Sequence, residues 1–300
     1  MTRAPAPKRV AVVGAGPAGL ACALTARERG HRVTLFDAAD DIGGQFNLAR
    51  RIPGKEEFAE TLRYFRTRLA RAGVVLALGR TVEATDLADF DAIVLATGIV
   101  PRVPAIPGID HPKVASYADV VMGRRTVGKR VAIIGAGGIG FDVAELLTHG
   151  GRDGVDAFRD EWGIDGTYAA PGGLKPPHDA PPPRDVWLLQ RKTTKVGADL
   201  AKTTGWIRRT LLKRRGVTML AGVAYERIDD AGLHVTVDGT PRTLDADTIV
   251  VCAGQEPRRD LLEPVRATGG PVQLVGGADV AAELDAERAI EQGTRAALAL

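Results

Sequence analysis

Two stretches of this chain carry the same pattern of apolar and small positions. RVAVVGAGPAGLACALTARERGHRVTLFD (9–37) opens with a short apolar run, passes through Gly-x-Gly-x-x-Gly and continues as a helix. RVAIIGAGGIGFDVAELL (130–147) repeats that order. Short apolar runs bounded by glycine predict buried parallel strands, each followed by a helix packed on the sheet. Further buried runs are 33–36, AIVLATG (92–98) and VQLVGGADV (272–280). The last reads as a strand ending near Asp279, followed by a helix over ELDAERAIEQGTRAALAL (283–300). Strands alternating with helices predict an α/β fold with two dinucleotide-binding, Rossmann-like domains.

The second copy departs from the first after its helix. Its next strand is displaced by an excursion over 149–185, where thirteen of 37 residues are Gly or Pro. That composition predicts a loop, with a short ordered piece around 158–164. The strand then resumes in VWLLQRKTTK (186–195) and ends in Gln190, Arg191 and Lys192. KTTGWIRRTLLKRRG (202–216) predicts a basic helix.

Composition narrows the picture. With 300 residues, 45% of them hydrophobic, the chain can bury one large core or two medium ones. A net charge of +3, with both signs interspersed, gives no basic patch for nucleic acid. There is no run of 18 apolar residues and no signal-like N-terminus, so a soluble cytoplasmic protein is expected. The two cysteines, Cys22 and Cys252, form no C-x-x-C and are too few to ligate an iron–sulfur cluster. They read as small buried residues. The five histidines show no metal-ligand spacing.

The chemistry lies in the glycines and the strand ends. Gly14 permits the tight turn, Gly16 lets backbone approach a pyrophosphate, and Gly19 lets the helix pack on the strand. The helix start then offers free N–H groups to phosphate. Asp37, 23 residues after Gly14, is placed to accept ribose hydroxyls. Gly135, Gly137 and Gly140 repeat the glycine set, but the second strand ends without an acid. An adenosine 2′-phosphate would be repelled by a carboxylate and held by a guanidinium and an ammonium. Arg191 and Lys192 therefore predict an NADPH site. Alternation along the chain means that they do not both point at the phosphate equally. Lys202 and Arg208 extend the anion site in this reading, whereas Arg209, Lys213, Arg214 and Arg215 form a solvated face or a docking surface.

Taken together, these motifs resemble the two-dinucleotide-binding-domain flavoprotein reductases. IGGQFNLARRIPGKEEF, ATGIVPR, IGAGGIGFDVAELL, LLQRK, KTTGWI, CAGQEP and GGADVAAELDAERAI look like the C-terminal half of bacterial NADPH-dependent 2,4-dienoyl-CoA reductase. Trimethylamine dehydrogenase and related old-yellow-enzyme fusions resemble it more distantly. The resemblance implies a discontinuous FAD domain over 8–110 and 252–300, with an NADPH domain over 111–251 inserted into it. Carried over by motif, the FAD contacts would be Gly14, Gly16, Ala18, Gly19, Asp37, Gly44 and Gln45, with Arg51 or Lys55 near the pyrophosphate. Val82 would meet the adenine and Gly98 would follow the Ala-Thr turn. Gly277, Asp279 and Val280 would meet the ribityl–pyrophosphate stretch, and the next helix would point its N-terminus at the flavin.

The implied reaction is hydride transfer from C4 of NADPH to N5 of FAD. That step needs positioning and no acid–base residue, so no catalytic residue is assigned. The family also carries an FMN barrel and a 4Fe-4S cluster, which this chain lacks. Such a domain or subunit is the expected electron acceptor. The lead up to residue 8, with Pro5 and Pro7, reads as a linker stub or a new start, which leaves an excised fragment and a free-standing reductase both open. The alternatives are a stand-alone NADPH-dependent reductase for another partner and a non-catalytic domain holding ADP.

Overall fold

The computed structural model describes residues 2–178, 180–282 and 285–300 and divides into two compact units. One runs to Pro101 and resumes over Gln255–Leu300; the other is Arg102–Gly254. The crossings fall there rather than at 110/111 and 251/252. Ile99–Pro101 pairs antiparallel with Gln255–Pro257, which ties both crossing segments to the first unit.

Each unit is built on a five-stranded parallel sheet. In the first the order is Val272–Leu274, Ala92–Leu95, Arg9–Val13, Arg32–Phe36 and Val75–Ala77. In the second it is Val114–Ser116, Thr248–Val251, Arg130–Ile134, Asp185–Leu189 and Thr218–Leu220. The strand that leads into the glycines is central both times. Val10, Val12, Val131 and Ile133 on those strands are fully buried, as expected where helices cover both faces of a parallel sheet.

The doubling extends beyond the glycines. Arg9 N–H donates to Asp91 Oδ2 at 2.6 Å, and Asp91 N–H returns a bond to Arg9 O at 2.9 Å. In the second unit Arg130 N–H donates to Asp247 Oδ2 at 2.8 Å, and Asp247 N–H returns to Arg130 O at 2.8 Å. Each central strand is thus pinned at its start by an aspartate just ahead of its neighbour. The units differ between Val75–Ala77 and Ala92–Leu95 in the first and between Thr218–Leu220 and Thr248–Val251 in the second. The first has a short turn at Ala84–Leu87, whereas the second inserts an antiparallel sheet of Ala224–Asp229, Gly232–Val237 and Thr240–Leu244.

Several expectations change. The strand expected to end near Asp279 stops at Leu274, because Gly276 adopts a left-handed φ of 63° and starts the Gly276–Ala278 turn. The helix after it spans Ala286–Leu298; its expected first residues, Glu283 and Leu284, lie outside the described residues. It packs so closely on the Pro17–Glu28 helix that a Cβ on Gly293 would stand 2.0 Å from Ala18 O.

The excursion is more ordered than a Gly/Pro-rich loop suggests. It holds a helix, Val155–Trp162, a short turn at Pro171–Gly173 and a bridge between Ile164 and Leu174. Asp179, within it, lies outside the described residues. Basic residues expected to be solvated anchor the helix: Arg215 meets Glu161 Oε1 at 2.7 Å, and Arg214 sits 5.5 Å over the Trp162 ring. Arg209 donates to Gly197 O at 2.7 Å. Among the described residues no helix is long and apolar enough to cross a membrane.

Candidate dinucleotide sites

The three glycines of each fingerprint answer to different demands. A Cβ on Gly14, whose φ is 110°, would stand 2.2 Å from Ala96 O, and one on Gly19 would stand 1.8 Å from Gly14 O. Gly135 and Gly140 repeat this, at 2.3 Å from Cys252 O and 1.9 Å from Gly135 O. The fold's own packing therefore excludes a side chain at all four. The middle glycines differ. Around Gly137 nothing lies within 4 Å of such a Cβ, and at Gly16 the nearest atom is Gly44 Cα at 4.0 Å. Packing makes no demand there, so the bare backbone fits a ligand that comes close. These open faces stand at the starts of the Pro17–Glu28 and Gly138–Thr148 helices, where N–H groups are free for phosphate.

In the first unit the Asp37 carboxylate accepts Ala15 N–H at 2.6 Å and Ala39 N–H at 2.8 Å. Each oxygen keeps acceptor capacity for a ribose hydroxyl. Asp37 lines a cavity of about 320 Å³ with Gly14, Arg80, Val82, Thr97 and Arg258. Asp37 and Val82 were expected in such a site; Arg80, Thr97 and Arg258 were not. Arg80 is paired with Asp86, Thr97 Oγ1 donates to Arg258 O at 2.6 Å, and Arg258 N–H donates to Gly98 O at 3.0 Å. Arg80 lies two residues before Val82 and Arg258 directly follows CAGQEP, which was the available signal.

The remaining expected contacts divide. A Cβ on Gly44 would stand 2.9 Å from Gly16 Cα, so the two backbones lie face to face. A Cβ on Gly276 would stand 2.8 Å from Ala18 Cβ, which sets the turn holding Gly277 against the first turn of the fingerprint helix. Gln292 secures that turn, accepting Gly276 N–H at 2.8 Å and donating to Asp279 Oδ2 at 3.2 Å. Val280 is 42% exposed. Gln45 and Arg51 are exposed, Lys55 is half-buried, and none of them lines the cavity. The Ala286–Leu298 helix is closed at its start by its own Asp285, which accepts Arg288 N–H at 2.8 Å.

The second strand end is a rearranged copy of the first. Gly135 N–H donates to Leu189 O at 2.9 Å, as Gly14 N–H donates to Phe36 O at 2.8 Å. Gln190 therefore occupies the place of Asp37. Its amide turns onto its own loop, donating to Lys192 O at 3.0 Å and Thr194 O at 2.5 Å. Lys192 Nζ meets Asp199 Oδ2 at 2.6 Å, whereas exposed Arg191 has no hydrogen bond or ion pair among the described residues. Lys202 is exposed in the turn ahead of the Gly205–Arg214 helix. Arg208 does not extend an anion site: it is bonded to Asp142 and lies 3.3 Å from Glu145 Oε2. Burial raises the Glu145 carboxyl above its usual range, and Arg208 and Arg215 oppose that shift.

The profile of the pyridine nucleotide-disulphide oxidoreductase family matches residues 8–284. The chain belongs to that family. Its cofactors are accordingly FAD and NAD(P)H, in agreement with the two open glycine cradles. Among relatives of this flavoprotein, a metal reductase of Desulforamulus reducens is 27% identical over 91% of this chain and 41% of its own length. A cinnamate reductase of Clostridium sporogenes is 27% identical over 91% of this chain and 36% of its own. The structure of 2-naphthoyl-CoA reductase in complex with 2-naphthoyl-CoA superposes with a TM-score of 0.83 at 26% identity, covering all of this chain and 41% of that one. The chain thus spans about two fifths of the length of these proteins. The family's disulphide chemistry has no dithiol here: Cys22 and Cys252 are free and buried. Burial pushes the Cys22 thiol up to about 12 and the Cys252 thiol higher still.

Proposed function

We propose that this flavoprotein is an electron-input module that takes hydride from NADPH onto FAD and passes the electrons to an acceptor domain or subunit. The observation that carries this reading is the contrast between two otherwise matching strand ends. Asp37 follows the first, and Gln190 with Arg191 follows the second. A carboxylate suits the bare ribose of FAD, whereas a cation without a carboxylate suits a 2′-phosphate. When bound, FAD supplies the hydride acceptor and a means of releasing electrons singly.

The chain's own residues bind and orient. The backbone at Gly16 and Gly137 admits the two pyrophosphates, and Asp37 holds the flavin nucleotide's ribose. Gly44, Gly277 and Asp279 line the approach to the first fingerprint. Arg191 is the phosphate ligand rather than Lys192, whose charge Asp199 already meets. Lys202 is exposed and available to it. Gly98 closes the loop that carries Arg258.

The acceptor in this reading is an FMN and iron–sulfur barrel, as in 2,4-dienoyl-CoA reductase, with a conjugated acyl thioester as final substrate. The likeness to proteins named for reducing 2-naphthoyl-CoA and cinnamate supports a conjugated acid or thioester. The visible spectrum of the purified chain tests the proposal. A yellow protein bleached anaerobically by NADPH is expected. A colourless protein carrying ADP would overturn the reading in favour of a nucleotide-binding structural domain.

A further inference from the structure

The inserted antiparallel sheet brings one residue to the second fingerprint that no glycine motif announces. The segment entering its first strand is bonded along the turn at 190–192. Gln190 N–H donates to Leu220 O at 3.0 Å, Val223 N–H to Gln190 O at 3.0 Å and Gly222 N–H to Lys192 O at 2.9 Å. These bonds carry Tyr225 to the ends of the two central strands, where it packs against the apolar cluster containing Ile134 and Leu189. Its hydroxyl is buried with no hydrogen-bond partner among the described residues. The Gly135 N–H faces it, though that N–H is already bonded to Leu189 O, and the Arg191 charge lies close enough to act on it.

A buried hydroxyl without a partner is costly unless something else supplies one. Burial raises the Tyr225 phenol well above its usual range, even beside the Arg191 charge, so the group keeps its proton. A neutral O–H and a guanidinium together offer donors and no carboxylate. That set suits a phosphate oxygen. It does not suit a ribose hydroxyl pair, which Asp37 serves in the other unit through two acceptor oxygens. Tyr225 and Arg191 flank Gly135 and the strand end, the place where a Rossmann fold holds the adenosine ribose. Arg191 is exposed and has no hydrogen bond or ion pair among the described residues, so it is free to rearrange around an anion.

We propose that Tyr225 is a ligand of the adenosine 2′-phosphate, donating its hydroxyl hydrogen bond to the anion that Arg191 also holds. The antiparallel insertion would then be part of the machinery that selects NADPH over NADH. This rests on reading the second fingerprint as a pyridine-nucleotide site.

The test is equilibrium binding of NADP⁺ and of NAD⁺ to the FAD-loaded chain by calorimetry, without turnover. Tyr225→Phe should weaken NADP⁺ by about tenfold or more, as loss of a hydrogen bond to a charged group implies, and leave NAD⁺ within about twofold. Arg191→Met should weaken NADP⁺ too, and the two changes should combine non-additively. Equal weakening of both nucleotides by Tyr225→Phe would mean a structural or pyrophosphate role and would overturn the proposal, as would no weakening. A wild-type chain that binds neither nucleotide would remove the nucleotide-site reading itself, a different result from an unchanged Tyr225→Phe. Unfolding temperature is followed in parallel. Phe keeps the ring, so a variant that stays folded yet loses only NADP⁺ isolates the hydroxyl.

Discussion

Asp37 Oδ2 accepts the Ala15 N–H at 2.6 Å, joining the end of the second strand to the middle of the first glycine loop. One carboxylate thereby shapes the loop and, in the proposed reading, presents acceptors to the ribose. Asp37→Ala removes both functions. Loss of hydrogen bonds to a charged group predicts FAD binding weaker by about 10–100-fold. The flavin absorbance retained after gel filtration, together with the dissociation constant of the apoprotein for FAD, measures this. Asp37→Ala that keeps full FAD occupancy and affinity would show that the carboxylate serves only the loop.

Arg191 and Lys192 should separate cleanly. Lys192 already has Asp199 at 2.6 Å, and Arg191 has no such partner among the described residues. Arg191→Ala is expected to weaken NADPH by about 10–100-fold with little change for NADH, since a guanidinium–phosphate contact is charge-assisted. Lys192→Ala should cost NADPH less than about threefold, in line with an exposed pair of small worth. Stopped-flow flavin reduction with each nucleotide reads both variants. The reverse order of effects would move the phosphate to Lys192.

The glycines give a test that separates folding from binding. Gly19→Ala and Gly140→Ala place a Cβ within 1.9 Å of a backbone oxygen, so both should fold poorly or not at all. Gly137→Ala meets no atom within 4 Å and should leave the unfolding temperature nearly unchanged while it weakens pyridine nucleotide. Gly16→Ala should do the same for FAD. Thermal melts with and without nucleotide distinguish the two groups. A Gly137→Ala chain that binds normally would show that the open face is not a ligand's.

The sequence carried the two fingerprints, the central strands and the missing acid, because each is a local pattern of glycine, apolar run and charge. It also held a longer repeat that went unread. DAIVLATG (91–98) and DTIVVCAG (247–254) are counterparts: Asp91 and Asp247 pin the central strands, and Ala96 O and Cys252 O block side chains at Gly14 and Gly135. Their separation from the glycines in sequence hid the match until the strands were seen side by side. Tyr225 was not legible at all, since it reaches the site through an inserted sheet with no copy among the described residues of the first unit. The basic helix misled for a similar reason. By composition Arg208 reads as part of the anion site and Arg215 as solvated, but their acidic partners lie more than 50 residues away.

Asp247 makes a further prediction, about stability and pH. Its carboxylate accepts Arg130 N–H at 2.8 Å and meets Arg130 Nη2 at 2.6 Å, and these bonds lower its pKa to about 2. A carboxyl whose folded pKa lies below its unfolded value of 3.8 contributes stability in full above that value. The contribution is lost as pH falls from there through about 2. Asp247→Asn should therefore lower the unfolding temperature at neutral pH, and the gap from wild type should narrow as pH drops through that window. Asp247 and Arg130 are 34% and 41% exposed, so solvent screening trims the side-chain contact, the larger cause of the low pKa, and leaves the backbone bond a substantial share. Arg130→Met keeps that backbone N–H and should be milder than Asp247→Asn. Denaturation midpoints between pH 7 and roughly pH 2, the window set by linkage, test the order and the slope. A gap that stays constant with pH would show that Asp247 acts through packing rather than through its charge.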